Sequence, residues 1–367
     1  MRIRFEKRLS PSRLMLVATP IASVLLTMLL GAVIFELIGF DGPNAIYQTF
    51  ITPIVASYKW QDVMTKAAPL IIIALGLSLG NTAKVWNIGA EGQYIIGALA
   101  GAGMALALPN AQGGWVIALI LLAGIAGGAV WAAIPAFLRT RFRVNEVLSS
   151  LMLVYVALQA LNYLVGGPWK DPNGHNFPQT PPLPDAQQLP HAIPGTPIPP
   201  GLVVAVILTL VFWVIAARSV YGFSVRTVGA APDAARYGGF DAARTVWSTL
   251  MISGGMAGLA GILEVASQLG QLNLGFPSNY GFTAIIVSFL GRLHPIGVFL
   301  AGLILAVTYV GGQVAQTVVH VPQATAGIFQ AMMLFFILAS DILIRYRIRV
   351  IREAPTAAAQ ARAGATA

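Results

Sequence analysis

An all-α fold, a polytopic integral membrane protein of about ten transmembrane helices with both termini cytoplasmic, is predicted by three observations. The chain has a mean hydropathy of +0.76 and only 10% charged residues, against about 25% in a soluble domain. Its apolar residues gather into ten runs, most of them near the roughly 20 residues that a bilayer span requires. Its basic residues are segregated. With ten spans, all but three (Lys59, Lys66 and Lys170) of the 22 Lys and Arg residues fall on one side or in the tails, the bias that marks the cytoplasmic face.

Residues 1–13 form a basic cytoplasmic N-terminus. The membrane domain is expected over 14–344. Residues 14–38 are the first span, too long for a signal-peptide apolar core and without a small-residue cleavage site, so the segment is expected to be retained. An outer loop over 40–66 follows, with Tyr47, Tyr58 and Trp60 suited to an interfacial belt. The second span is 63–80, with Pro69 near its start. A polar interruption, 81–94, runs straight into the third span at 88–108. Spans four and five are 115–138 and 145–165, separated by Arg139, Arg141 and Arg143. The Pro-rich stretch 167–200 is expected to be an extended outer loop. The sixth span is 201–217 and the seventh 243–266. Residues 281–290 are apolar but too short to cross, and read as a tilted or discontinuous helix. Spans 296–318 and 324–344 complete the set, before a cytoplasmic tail over 345–367 that is basic at Arg345, Arg347, Arg349 and Arg352 and then Ala-rich, the Ala-rich end being expected to be disordered. Glycines four apart, as in Gly97/Gly101, Gly124/Gly128 and Gly254/Gly258, predict close helix packing where lipid supplies no hydrophobic drive.

Several chemistries are excluded. There is no cysteine, hence no disulfide and no thiolate metal site. The four histidines are scattered without ligand spacing. The net charge of +9 sits at span ends, which argues against nucleic acid as a partner. No P-loop for ATP and no His-Glu-x-x-His is present. Intramembrane acids are few (Glu91, Glu146, Glu264, Asp341), and only Glu264 reads as well inside a span.

Three groups of polar residues are candidates for a solute path. Asn87, Glu91 and Gln93 at the 81–94 junction either line a path or cap broken helix ends, with Lys84 a possible partner of Glu91. Glu264 and Gln268 lie four apart and share a helix face, for substrate contact or interhelical hydrogen bonding. Asn273, Asn279, Phe276, Tyr280 and Phe282 either stack on a ring-shaped solute or form an interfacial belt.

The interval 218–244 carries Arg218, Arg226, Arg236 and Arg244 against Asp233 and Asp241, too many charges for a span. Pro232 suits a first helical turn, Asp233 favours the helix N-terminus, Ala234, Ala235 and Arg236 are good helix formers, and Gly238-Gly239 ends the helix after Tyr237. The interval is therefore a surface helix between spans, either an ordinary basic loop or a docking element for a soluble partner.

The run Asn81-Thr-Ala-Lys-Val-Trp-Asn-Ile-Gly-Ala-Glu-Gly-Gln-Tyr94 resembles a segment of ABC-importer permeases for simple sugars and nucleosides, within the ribose and branched-chain amino acid permease family. Residues 228–239, 254–264 and 282–297 resemble further segments of that family. The likeness covers roughly 67–344. The Asn-Ile-Gly-Ala-Glu-Gly run is similar to the nucleoside-type branch. Where the family has Gly-x-Asn-Pro, this chain has Gly229-Ala-Ala-Pro232. The resemblance implies a bacterial inner-membrane subunit that forms half of a translocation path. It implies a cytosolic ABC ATPase that binds ATP and Mg, docked at Arg226 and 232–237. It also implies a second, different permease and an extracytoplasmic binding protein. A nucleoside is the leading solute and a simple sugar the runner-up. No cofactor is expected in this chain, and it is not expected to be an enzyme. An ion-coupled secondary carrier is the alternative class, and it calls for paired acids at mid-membrane, of which only Glu264 reads as one. A membrane enzyme would need a His, Asp or Ser constellation, and none is visible.

Overall fold

The computed structural model describes residues 2–7, 13–174, 177–190, 198–322 and 324–351. A helix coincides with each of the ten predicted spans. Seven of the helices among the described residues are long and apolar enough to cross a membrane.

The chain starts with strand β1 (Arg2–Lys7) and helix α1 (Arg13–Ile38). On α1, Thr19, Ser23 and Thr27 are buried, and the Ser23 and Thr27 hydroxyls donate to the carbonyls one turn back. The segment expected as the outer loop 40–66 is instead mostly helical. It contains α2 (Gly42–Ile46), a π-turn over Tyr47–Ile51, α3 (Thr52–Val55) and a 3₁₀ turn at Ser57–Lys59. It is folded against the protein: Thr49 and Phe50 are buried, and a Cβ at Gly311 would strike the Thr49 carbonyl. Pro43 and Pro53 sit in first turns, where a missing N–H costs nothing.

Helix α4 (Trp60–Thr82) is the axis of the molecule. Its side chains from Ala67 to Gly80 are buried without a break, because α8 (Pro200–Arg218), α11 (Ala242–Glu264), α12 (Tyr280–Leu290) and α13 (Pro295–Val318) pack around it. Beside it stand α5 (Ala90–Ala107), α6 (Gly114–Phe142) and α7 (Glu146–Gly166). Two shorter helices, α9 (Val220–Ala230) and α10 (Pro232–Tyr237), lie between α8 and α11. Helix α14 (Thr325–Arg345) packs against α1 and leads into strand β2 (Tyr346–Ile351). The strands pair antiparallel, with Arg2 opposite Ile351 and Lys7 opposite Tyr346, so the two ends of the described chain lie side by side. The Ala-rich end and Arg352 lie outside the described residues, as do His175 and His191.

The predicted glycine pairs form one contact system. A Cβ at Gly97 would collide with the Gly258 backbone, and one at Gly128 with the Gly254 carbonyl. One at Gly258 would meet the Gly124 carbonyl. Helices α5, α6 and α11 thus approach backbone to backbone, a geometry open only to the smallest residues. Gly76 of α4 sits against Ser253 and Met256 of α11, with 2.9 Å and 3.0 Å to the nearest atoms from its would-be Cβ. Gly258→Leu is therefore expected to destabilise the detergent-solubilised protein by about 3 kcal/mol or more, the upper range for overpacking. Gly166→Ala, which meets nothing within 4 Å, should leave the thermal midpoint unchanged.

Candidate functional site

The centre of the candidate site is α12, a helix of eleven residues. Asn279, in the left-handed region with φ 58°, turns the chain into it, and the next helix, α13, follows closely after Gly291 and the left-handed Arg292 and Leu293. A helix start buried in the protein leaves backbone N–H groups without water. Glu91 of α5 meets that need. One carboxylate oxygen accepts from Asn279 N–H at 3.1 Å and the other from Gly281 N–H at 2.6 Å. The negative charge also suits the helix N-terminus. Gly281 has to be glycine, because its would-be Cβ falls on the Glu91 backbone. Glu91 is 1% exposed, so it is as deep in the protein as Glu264. Its partners are these two amides, and the expected pairing with Lys84 does not form; Lys84 instead occupies a left-handed turn.

Asn87 and Gln93 exchange hydrogen bonds amide to amide, at 2.7 Å and 3.0 Å, and Asn87 also donates to the Ser253 hydroxyl of α11 at 3.0 Å. Both are almost fully buried. They tie the 81–94 junction to α11. Farther down, Asn81 of α4 donates to Ser288 of α12 at 3.1 Å, while Thr283 of α12 bonds Tyr309 of α13 at 2.9 Å and Gln330 of α14 at 3.1 Å. Polar contacts thus hold the half-helix along its whole length.

Phe276 and Tyr280 are buried: Phe276 stacks on Tyr94 at 4.8 Å, and Tyr280 meets Tyr94 and Tyr309 edge-on. Phe282 is half-buried on the outward side of α12. Asn273 lies in the segment that follows α11, where the Pro-rich stretch crosses it. Thr180 N–H donates to the Leu272 carbonyl, Leu183 N–H to that of Gly270, and Asn273 bridges to Gln179. The described parts of that stretch hold a 3₁₀ turn at Asp185–Gln187 and are anchored by these bonds.

Glu264 ion-pairs with Lys66 at 3.8 Å, and the Lys66 ammonium also lies 5.4 Å from the centre of the Tyr280 ring. Lys66 therefore belongs to α4, half-buried, instead of an outer loop. Glu264 and Gln268 both line a small cleft between α4, α8 and α11, together with Thr65, Ser267 and Pro199. The expected shared face is present, although a π-turn over Val265–Leu269 follows α11.

On the other side, α10 has the predicted boundaries, with Pro232 at its start, Asp233 in the first turn, Arg236 in the last, and Gly239 at φ +82°. Ala235 is its buried anchor, Ala234 lies on the open side, and Tyr237 is 96% exposed. Pro232, Asp233 and Arg236 line an open groove with Phe240 and Asp241. Helix α9 was not legible in the sequence. Ser219 caps it by accepting from Gly222 N–H at 3.0 Å, and Tyr221 donates to Ser248 of α11 at 2.9 Å, its pKa raised by burial. Arg226 donates to the Ala216 carbonyl at 2.6 Å, joining α9 to the end of α8. At its far end, Gly229 lies directly on the Thr82 carbonyl and Ala83, where α4 gives way to the α5 junction. Among the described residues no three His, Asp or Glu side chains gather as a metal site.

Two outcomes follow. Glu91→Ala should orphan one buried and one part-buried N–H group at a cost of about 2–6 kcal/mol, from one to three for each desolvated donor, with Glu91→Gln milder; thermal unfolding of the purified protein measures both. Glu264→Gln should change solute uptake by less than about tenfold, since its contact is an ion pair to a partly exposed lysine whose loss is worth about 1 kcal/mol.

Residues 60–338 match the family described as branched-chain amino acid transport system / permease component. The glucose ABC transporter permease protein TsgB13 of Haloferax volcanii is 36% identical, over 90% of this chain and 90% of its own. Two guanosine ABC transporter permease proteins of Bacillus subtilis also match. NupP is 27% identical over 91% of this chain and 96% of its own, and NupQ is 31% identical over 65% and 76%. No solved structure matches. The chain is a multi-pass membrane protein of the branched-chain amino acid permease family, a transport component of an ABC importer and not an enzyme.

Proposed function

We propose that the protein forms half of the path for a neutral, hydroxyl-rich ring solute, a simple sugar or a nucleoside, in an importer whose ATP and Mg are bound by a separate cytosolic ATPase. The observation that carries this reading is the α9–α10 pair. It presents an exposed, mixed-charge end at Pro232–Tyr237 and sits by Gly229 on the α4–α5 junction. A push on α10 would pass through α9 to the junction that ends at Asn87 and Glu91, the groups that hold α11 and α12. Such a route suits a rigid-body exchange between inward and outward states.

The other half of the path belongs to a second permease. That two guanosine permease proteins of one organism match this chain supports two different permeases in one complex. An extracytoplasmic binding protein would deliver the solute to the outer surface, where the Pro-rich loop and residues 266–273 are knitted together. The greater identity to a glucose permease favours a sugar, whereas the 87–92 run favours a nucleoside.

The test is purification of the chain from native membranes in mild detergent, with the complex identified by mass spectrometry. An ATPase and a second permease are expected, with hydrolysis stimulated by glucose or guanosine once the binding protein is added. A chain that purifies alone and moves solute on an ion gradient would contradict the proposal. Within the complex, Arg236→Glu or deletion of 232–237 is expected to leave membrane insertion intact and cut ATP-driven uptake at least tenfold; normal uptake by both variants would remove the docking role.

A further inference from the structure

Most of the membrane-length helices look as lipid contact demands. The exposed middles of α1, α6, α8 and α14 consist of Gly, Ala, Val, Leu, Ile, Phe and Trp. Helix α7 departs from this. Its outward side carries Met152, Tyr155, Gln159 and Asn162, all exposed and at spacings of three and four residues that set them in one stripe. Asn162 donates to Gln159 at 3.4 Å, which leaves most of the capacity of two amides open. Gln159 lies about 20 Å along a helix about 31 Å long, at 1.5 Å per residue, so it stands within hydrocarbon depth. An amide there faces protein or water, because lipid offers it no partner. Other exposed polar residues of the long apolar helices, such as Gln61 and Asp62 of α4 and Gln313, Gln316 and Thr317 of α13, lie within the first or last two turns, close to a helix end.

A second wall stands nearby. On α12 the only partly exposed side chains are Phe282, Ile285 and Phe289, at positions i, i+3 and i+7, while the rest of the helix is buried. Helices α7 and α12 both pack on α5. Trp86 joins them at one end: its N–H donates to the Glu146 carboxylate of α7 at 3.4 Å, and its ring stacks on Phe289 at 5.6 Å. No charged side chain lies between Val147 and Gly166 or on α12.

We infer that the α7 stripe of Tyr155, Gln159 and Asn162, with the Phe282–Phe289 ridge of α12, is this chain's wall of the solute path at the seam with the second permease. The amides and the phenol bond hydroxyl and amide groups of a neutral solute, and the aromatic ridge takes the face of its ring. Neither wall offers a counter-ion, so charged solutes are disfavoured. The inference rests on the permease reading above and adds the residues that meet the solute.

The chain contains no cysteine, so single cysteines report cleanly. Gln159→Cys, Asn162→Cys and Tyr155→Cys would be compared with the outward apolar positions Leu122→Cys and Ile207→Cys. Each is placed in the intact complex in membrane vesicles and treated with a membrane-impermeant cationic methanethiosulfonate. The stripe cysteines should react at least tenfold faster than the two controls, at a rate that changes when ATP is added and falls with glucose or guanosine. Gln159→Leu, a residue compatible with lipid, should cut uptake of the transported solute at least fivefold in an assembled complex. Stripe cysteines as unreactive as the controls, or a Gln159→Leu complex with normal uptake, would overturn the inference while ATP-driven uptake by the parent complex still upheld the permease reading. A parent complex without ATP-driven uptake would overturn both.

Discussion

The Glu91 carboxylate on the first amides of α12 is the contact on which the rest of the architecture depends. A helix end buried among apolar side chains has no water to bond, so a helix that starts at the buried Tyr280 must find its acceptors inside the protein. Glu91 supplies two of them. That choice dictates others. Gly281 must lack a side chain so that α12 can touch α5, and α5 must itself begin after a polar break, held there by the Asn87–Gln93–Ser253 contacts. The Tyr94–Phe276 stack then fills the space behind the turn into α12.

Around this point the molecule divides into a stiff part and a part that can transmit motion. Helices α5, α6 and α11 meet through glycine backbones with no side chain between them, which resists shear because any slide drives a Cβ or carbonyl into a neighbour. The junction at 82–94 lies at the end of that block, and α9 rests on it through Gly229. A load applied to α10 therefore reaches a junction from which hydrogen bonds run to α11 and α12.

Much of this was legible in the sequence. The apolar runs located the helices, the ten-residue run at 281–290 announced a broken one, and Pro232, Asp233 and Gly238-Gly239 bounded α10. The glycine pairs foretold the close packing. What stayed hidden was long-range. Glu91 seemed to have Lys84 at hand, yet its partners are amides 188 and 190 residues away, and no local pattern encodes that. Helix α9, with Gly222 and Gly229 and several β-branched residues, has weak propensity of its own, and it is fixed by the Ser219 cap and by contacts to Ser248, Ala216 and Thr82. The 40–66 segment reads as a loop because prolines cut it into short helical pieces. Exposure on α7 likewise depends on which face its neighbours cover.

The most direct measurement is solute uptake into proteoliposomes holding this chain, its second permease and the ATPase, with the binding protein outside and ATP inside. Uptake is expected to require ATP, to fail with a non-hydrolysable analogue and to be indifferent to collapse of the proton and sodium gradients. Uptake that proceeds without ATP and stops when those gradients are removed would contradict this expectation.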